Sequence, residues 1–268
     1  MPNDTALWAA TLGTTVGDAW LRRHEVKSPE AVAKFQAAAE RLAQGVPFAY
    51  AVGRVPFRTL DLAIDARALI PRPETEGLVE LVLRGIEKRE TGDGKHGLAA
   101  DIGTGSGCIA LSLAVEGSFE RVIAVEQSPA AAALARENVL RVVPATPVEI
   151  RIGNLLGPLV EKGERYRVIV SNPPYLTAVE YAALDPSVHE FEPAGALVSG
   201  PDGLAATRAL FAGAADVLEP HGLLAIEIDE RRGDAIRALA REYGWNDVEI
   251  HADLFGCPRY ALATRREG

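Results

Sequence analysis

Residues 98–114 read LAADIGTGSGCIALSLA. A short apolar run leads straight into three alternating glycines, Gly103, Gly105 and Gly107, and a second apolar run follows, long enough for a helix. Strand, glycine turn and helix in that order open a β-α unit. Glycines at such a turn let the backbone approach a ligand closely, and the helix behind them offers free amide groups at its N-terminus. A nucleotide-like ligand is therefore expected at Gly103, Thr104, Gly105, Ser106 and Gly107. The spacing is G-x-G-x-G with Asp101 in front, whereas dinucleotide folds use G-x-G-x-x-G. That spacing speaks against a nicotinamide-dependent oxidoreductase.

Downstream, the same alternation repeats. Strands are expected at GLAADIG, RVIAVE, VEIRIGN, YRVIVSN and GLLAIEI, with helices between them at SPAAAALAREN and DGLAATRALFAGAADVL. Near-continuous apolar strands alternating with helices predict a mostly parallel sheet covered on both faces, an α/β fold. The closing stretch, DVEIHADLFGCPRYALATR, reads as two strands without a full helix between them, which suits an antiparallel final pair. Upstream, TGDGKHG is a polar break expected to be a loop, and PRPETEGLVELVLRGIEKRE is expected to be helical. Tyr50 to Ile70 alternates as a hairpin. Residues before it are Ala-rich and helical, with Ser28 as a cap, Pro29 in the first turn and Gly45 as a stop.

Two strand ends carry the chemistry. RVIAVE places Glu126 at its carboxyl end, 19 residues beyond Gly107. A carboxylate there accepts from both ribose hydroxyls of an adenosine. Together with the glycine spacing this favours S-adenosylmethionine over NAD. YRVIVSN runs into VSNPPY, residues 170–175. Open α/β sheets bind ligands at the carboxyl ends of their strands, so Asn172 should face the same crevice as the glycine loop. Pro173 and Pro174 have fixed φ and no N–H. The Asn172 side-chain oxygen and the Pro173 carbonyl then form two acceptors at a fixed separation, matched to the two N–H donors of a planar –NH2 group, and Tyr175 offers that group a flat face. An amide or aromatic amine is a poor nucleophile because its lone pair is delocalised. Two acceptors holding its N–H bonds favour pyramidalisation, aim the lone pair at a methyl donor and stabilise the charge that develops on nitrogen. The motif leaves open whether the amine belongs to an amide or to a base.

Composition narrows the classes. The chain has 268 residues, 48% hydrophobic, with 28 basic and 37 acidic side chains for a net charge of −9. Such a balance argues against a protein that relies on phosphate contacts. Cys108 and Cys257, far apart in sequence, are expected to be buried free thiols in a reducing compartment. The opening MPNDTALWAATLG has no basic stretch followed by an apolar core, and no apolar run nears the roughly 20 residues that span a bilayer. A cytoplasmic protein without a membrane partner is expected. The five histidines show no metal-type spacing, so no metal is expected. EIDERRGD, residues 227–234, reads as a solvated helix start.

Taken with these motifs, the chain resembles the HemK-type glutamine methyltransferases of polypeptide release factors over nearly its whole length. The resemblance is carried by RLAQGVPFAYAVGRVPF, the distinctive LIPRPETE at 69–76, DIGTGSGCIALSLA, AVEQSPAAAALAREN, VSNPPY, FEPAGALVSGPDGL and DLFGCPR, in the family's order. It implies an N-terminal helical substrate-docking domain (1–48), a β-hairpin linker (49–73) and a seven-stranded class I methyltransferase domain (74–268) with a Rossmann-like sheet. It further implies methyl transfer from S-adenosyl-L-methionine to the side-chain amide nitrogen of the glutamine in the Gly-Gly-Gln loop of peptide chain release factors, in translation termination, with S-adenosyl-L-homocysteine as product. A monomer that does not bind nucleic acid directly is expected. Residue by residue, Gly103 to Gly107 would cradle the methionine part of the cofactor, Glu126 its ribose, and Asn154 and Leu155 its adenine. Asn172 and Pro173 would hold the glutamine amide, with Pro174 and Tyr175 shaping the slot; Asn172 also borders the cofactor. The family often has Asp at 126 and at 154. Glu126 is one methylene longer, and Asn154 lacks the charge but keeps an acceptor. Arg72 contacts the release factor or braces Glu74 or Glu76; the sequence does not choose.

The main rival is an amino methyltransferase acting on adenine in nucleic acid, since a flipped base presents the same geometry. The acidic balance and LIPRPETE weigh against it. A sensor that binds the cofactor without transferring methyl would have no use for the Asn172 clamp.

Overall fold

The computed structural model describes residues 4–87 and 96–266. Four helices come first: α1 (Asp4–Leu12), α2 (Val16–Leu21), α3 (Pro29–Ala43) and α4 (Phe48–Val52). The Ser28 hydroxyl caps α3 by accepting from the Ala31 amide, and Gly45, at φ +86°, lies just past its end. Trp8 of α1 stacks on Phe35 of α3 with ring centroids 4.2 Å apart.

The hairpin is shorter than the alternation from Tyr50 to Ile70 suggests. It comprises β1 (Arg54–Phe57) and β2 (Leu60–Ala63) only, because Tyr50 to Val52 finish α4 and residues 64–72 run as a loop. Its turn falls at Arg58, held at φ +50°. A non-glycine residue in that region is strained, and the surroundings hold it there. The Arg58 guanidinium donates to Glu116 and Glu80, and its backbone N–H donates to Glu76.

Helix α5 (Pro73–Glu87) leads to the sheet, with Glu74 and Glu76 in its positive first turn. The expected loop at TGDGKHG lies outside the described residues apart from His96 and Gly97. The seven strands of this sheet among the described residues are β3 (Leu98–Ile102), β4 (Arg121–Glu126), β5 (Val148–Ile152), β6 (Tyr166–Ser171), β7 (Leu218–Glu227), β8 (Val248–Ala252) and β9 (Pro258–Thr264). Their order is β5-β4-β3-β6-β7-β9-β8; the first five are parallel, and β9 is antiparallel to both neighbours. The helices after β3 and β4 are α6 (Cys108–Glu116) and α7 (Pro129–Val142). Short helices α8 (Gly157–Val160), α9 (Ala178–Ala182) and α10 (Pro186–Phe191) precede α11 (Ala205–Val217) and α12 (Gly233–Glu242).

The period of two in the strands splits the core into two layers. Val168 and Val170 of β6 pack with Leu62 and Phe57 of the hairpin, Leu78 of α5 and Leu111 of α6. Ile169, from the same strand, points to the opposite face, with Phe211 of α11, Ile236 of α12 and Trp245. A buried residue ties the hairpin to the sheet unit. Asn138 of α7 accepts from the Ala63 amide at 2.7 Å and donates to the Ala63 and Ser106 carbonyls at 3.0 and 2.9 Å. Both of its N–H donors and one lone pair of its oxygen are engaged.

Two readings need correction. EIDERRGD is solvated only in part: Glu230, Arg231 and Asp234 are exposed, but Asp229 is buried and pairs with Arg231 and Arg232, and Arg232 also reaches Glu180 of α9 at 2.6 Å. Cys108 is buried, but Cys257 is only half-buried, because it sits in the β8–β9 turn rather than in a strand.

Candidate active site

The sheet order reverses between β3 and β6, so their carboxyl ends open onto a crevice. Local hydrogen bonds shape it. The Gly103 and Thr104 amides both donate to the Val125 carbonyl, at 2.9 and 3.0 Å, turning the chain across the end of β4. Gly103, Gly105 and Gly107 sit at φ +75°, +56° and +86°, backbone that a side chain would strain. Beneath the loop, the buried Asp101 accepts from the Thr104 hydroxyl at 2.6 Å and the Ala110 amide at 3.1 Å. Burial pushes its carboxyl up to about 7, against the pull of those two donors.

Glu126 ends β4 beside the loop. One carboxylate oxygen accepts from the Gly105 amide at 2.9 Å and the other from the Ser128 amide at 2.8 Å. Ionised oxygens take more than one donor each, so acceptor capacity is left for a ligand. Asn154 and Leu155 follow β5; Leu155 has φ +46°, a bend that faces this segment toward the crevice. Asn172 follows β6. Its amide nitrogen donates to the Thr75 hydroxyl at 3.0 Å, and that hydroxyl donates to Glu227 at 2.7 Å.

These groups surround a cavity of about 440 Å³, within the roughly 300–1,000 Å³ of small-molecule sites. Gly103, Thr104, Gly105, Ser106, Glu126, Asn154, Leu155, Asn172, Pro173 and Pro174 all line it. Gly107 and Tyr175 do not. Gly107 caps α6 and lies against Leu111 and Ala135, where a Cβ would come within 3.4 Å of Leu111. Burial pushes the Tyr175 phenol up to about 12, with the Glu227 charge adding to the rise and Arg259 opposing it. Among the described residues, no group of three or more His, Cys, Asp or Glu side chains is placed to hold a metal ion.

Two family models match the chain: "Methyltransferase small domain" over residues 79–190 and "PrmC N-terminal domain" over residues 5–53. A release factor glutamine methyltransferase of Moorella thermoacetica is 40% identical over 247 residues, which cover 92% of this chain and 84% of that one. The chain belongs to the release factor glutamine methyltransferase family. Another member, from Deinococcus radiodurans, is 38% identical over 248 residues, 92% of this chain and 85% of the other. The solved N-terminal domain of human METTL16 in complex with SAH is similar at a TM-score of 0.59 and 18% identity, covering 100% of this chain and 95% of that one. At that identity it shows a shared fold.

Sequence reading passed over part of the site. LIPRPETE lines the cavity through Ile70, Arg72 and Thr75, and FEPAGALVSGPDGL through Pro193, Val198, Ser199 and Gly200. Arg72 braces neither Glu74 nor Glu76. It pairs at 2.7 Å with Glu192, whose side chain is 3% exposed, so that the two signature segments are clasped together across the cavity. The Ile70 amide adds a long hydrogen bond to Glu192 at 3.3 Å. Replacing Arg72 by Ala leaves a buried carboxylate without its cation. We expect a loss of about 2 kcal/mol by urea unfolding, below the range for fully buried pairs because Arg72 itself is partly exposed. Adding Glu192→Gln to that variant should recover about half of the loss.

Proposed function

We propose that the protein transfers a methyl group from S-adenosyl-L-methionine to the side-chain amide nitrogen of the glutamine in the Gly-Gly-Gln loop of peptide chain release factors. The observation that carries this reading is the placement of Asn172. Its nitrogen is committed to Thr75, so its oxygen is the atom left to accept from an –NH2 group at the cavity that Gly103, Gly105 and Glu126 also line. Family membership supports the choice of a glutamine amide over other planar amines.

The residues present fit S-adenosylmethionine. A glycine cradle with positive φ, an adjacent carboxylate and a mostly apolar cavity suit an amino-acid head, a ribose and an adenine in turn. When bound, this group supplies a methyl carried on a positively charged sulfur. Gly103 to Ser106 would hold the methionine part, Glu126 the ribose hydroxyls, and Asn154 and Leu155 the adenine edge. Asn172 Oδ1 and the Pro173 carbonyl accept the two N–H bonds of the glutamine amide and stabilise positive charge as it grows on that nitrogen. Pro174 borders the slot. No strong base is required at the nitrogen, since its proton leaves to solvent after transfer.

The same reading assigns residues 1–48 to substrate docking, 49–73 to a linker and 74–268 to methyl transfer, in a cytoplasmic monomer that works without nucleic acid. The net charge of −9 supports the last point, and no helix among the described residues is long and apolar enough to cross a membrane. The test is incubation with labelled S-adenosylmethionine and either a release factor or adenine-containing DNA and RNA. Label is expected on the release-factor glutamine; label confined to nucleic acid would overturn the reading.

A further inference from the structure

We infer that Thr75 and Glu227 are positioning residues for the transfer: the Glu227 carboxylate accepts a hydrogen bond from the Thr75 hydroxyl, the Thr75 oxygen accepts one from an N–H of Asn172, and the Asn172 oxygen is thereby turned toward the acceptor amide. The inference rests on the function proposed above and adds a device that sets the direction of its clamp.

The geometry is specific. Strands β6 and β7 pair with Ser171 opposite Ile226, so Asn172 and Glu227 leave the sheet side by side. Thr75, in the first turn of α5, drops between them and is 2% exposed, as is Glu227. A hydroxyl has one proton. Once Thr75 gives that proton to Glu227 at 2.7 Å, it offers only lone pairs to Asn172, and the group facing it at 3.0 Å must be the –NH2. The orientation of the carboxamide, which its own shape leaves ambiguous, is decided two hydrogen bonds away by a carboxylate.

The device runs in reverse when Glu227 carries a proton. A carboxyl group can donate to Thr75, Thr75 can then donate to Asn172 Oδ1, and the carboxamide turned by half a circle presents N–H donors to an amide that needs acceptors. Burial pushes the Glu227 carboxyl up to about 7 and outweighs the Thr75 hydrogen bond. The groups that face it are Arg259 and Tyr260 from β9, Arg72 and Glu74 at the head of α5, Tyr175 beyond β6 and Cys108 at the start of α6. The two arginines favour the carboxylate and Glu74 opposes it. The acceptor-presenting arrangement therefore holds above that pH and is lost below it.

The test compares the parent with Thr75→Val, Thr75→Ser and Glu227→Gln, in steady-state transfer to a release factor between pH 6 and 9. Thr75→Val keeps the shape and removes the hydroxyl. Its kcat is expected to fall about 100-fold, the scale of a misplaced reacting group, with the KM for S-adenosylmethionine within about threefold of the parent. Thr75→Ser should restore most of that rate. The parent should lose kcat toward acid as Glu227, and Asp101 beneath the glycine loop, take protons, and Glu227→Gln, reduced about tenfold by its indifferent orientation, should lose the Glu227 share of that limb. An uncharged amide is penalised less by burial than a carboxylate and can still accept from Thr75, so Glu227→Gln should unfold at pH 8 no lower in temperature than the parent. Parent-level kcat in Thr75→Val, or an unchanged acid limb in Glu227→Gln, would sink the inference.

A second readout needs no acceptor. The side-chain amide signals of Asn172 in 15N-labelled protein should shift with the same protonation in the parent and stay fixed in Glu227→Gln. Signals that do not titrate overturn the relay. A parent that leaves the release factor unlabelled while those signals do titrate overturns the substrate assignment instead.

Discussion

Asn172→Ala should bind S-adenosylmethionine with a dissociation constant within about threefold of the parent and yet transfer methyl about 100- to 1,000-fold more slowly, the range for removing one preorganised polar group from a transition state. That corresponds to roughly 3–4 kcal/mol of lost transition-state stabilisation. The asymmetry follows from what the residue touches. Ser171 fixes the end of β6 by donating to the Ile102 carbonyl at 2.7 Å, and the glycine loop is held by Val125 and Asp101, so neither depends on the Asn172 side chain. What alanine removes is the oxygen that takes an N–H of the acceptor and steadies the charge that appears on nitrogen. Isothermal titration for binding and single-turnover transfer for chemistry separate the two effects. Transfer at the parent rate would show that the strand-end amide does not hold the acceptor.

Glu126→Ala should show the converse pattern. Both oxygens of this carboxylate already accept backbone N–H groups, from Gly105 at 2.9 Å and Ser128 at 2.8 Å, and the proposed ribose contacts would add to them. Hydrogen bonds to a charged group contribute about 1.5–3 kcal/mol each. Losing the ribose contacts together with the tether on Gly105 should raise the dissociation constant for S-adenosylmethionine about 100-fold, near 2.7 kcal/mol. At saturating cofactor kcat should stay within a few-fold, because the contacts serve the ground and transition states alike. Glu126→Gln keeps one acceptor and should lose about tenfold. Full affinity in Glu126→Ala would remove the carboxylate from the cofactor site.

The parts of this site that could be read from the sequence are those whose signal is local. Gly103, Gly105, Glu126 and Asn172 each stand at or just past the end of an apolar strand, and a parallel sheet brings strand ends to one edge whatever the order of its strands. Thr75 has no such signal, and Glu227, though it ends β7, shows nothing in the sequence that links it to Thr75. Their hydrogen bond joins residues 152 positions apart, and it exists because β7 lies next to β6 and the first turn of α5 crosses both. Within the sequence, Glu227 looks like the start of a charged run and Thr75 like a helix-start residue. Asp229 and Arg232 were misread for the same reason, since Glu180 approaches Arg232 from 52 residues away. Tyr175 does not line the cavity, since a motif conveys stiffness and not direction.

Asn138 gives the architecture a further property. One side chain closes two hydrogen bonds on β2, the second strand of the hairpin, and a third on the Ser106 carbonyl inside the glycine loop. The loop cannot be displaced without disturbing a bond on which β2 also depends. Order in the two segments is therefore a shared thermodynamic quantity, and linkage makes the sharing reciprocal. A ligand that quiets the loop should slow hydrogen exchange at the Ala63 amide, on an element that does not touch it. A protein partner that grips the hairpin should in turn raise affinity at the loop. Communication between the two ends of the reaction then requires no moving domain, only a buried amide with no spare hydrogen bond to give.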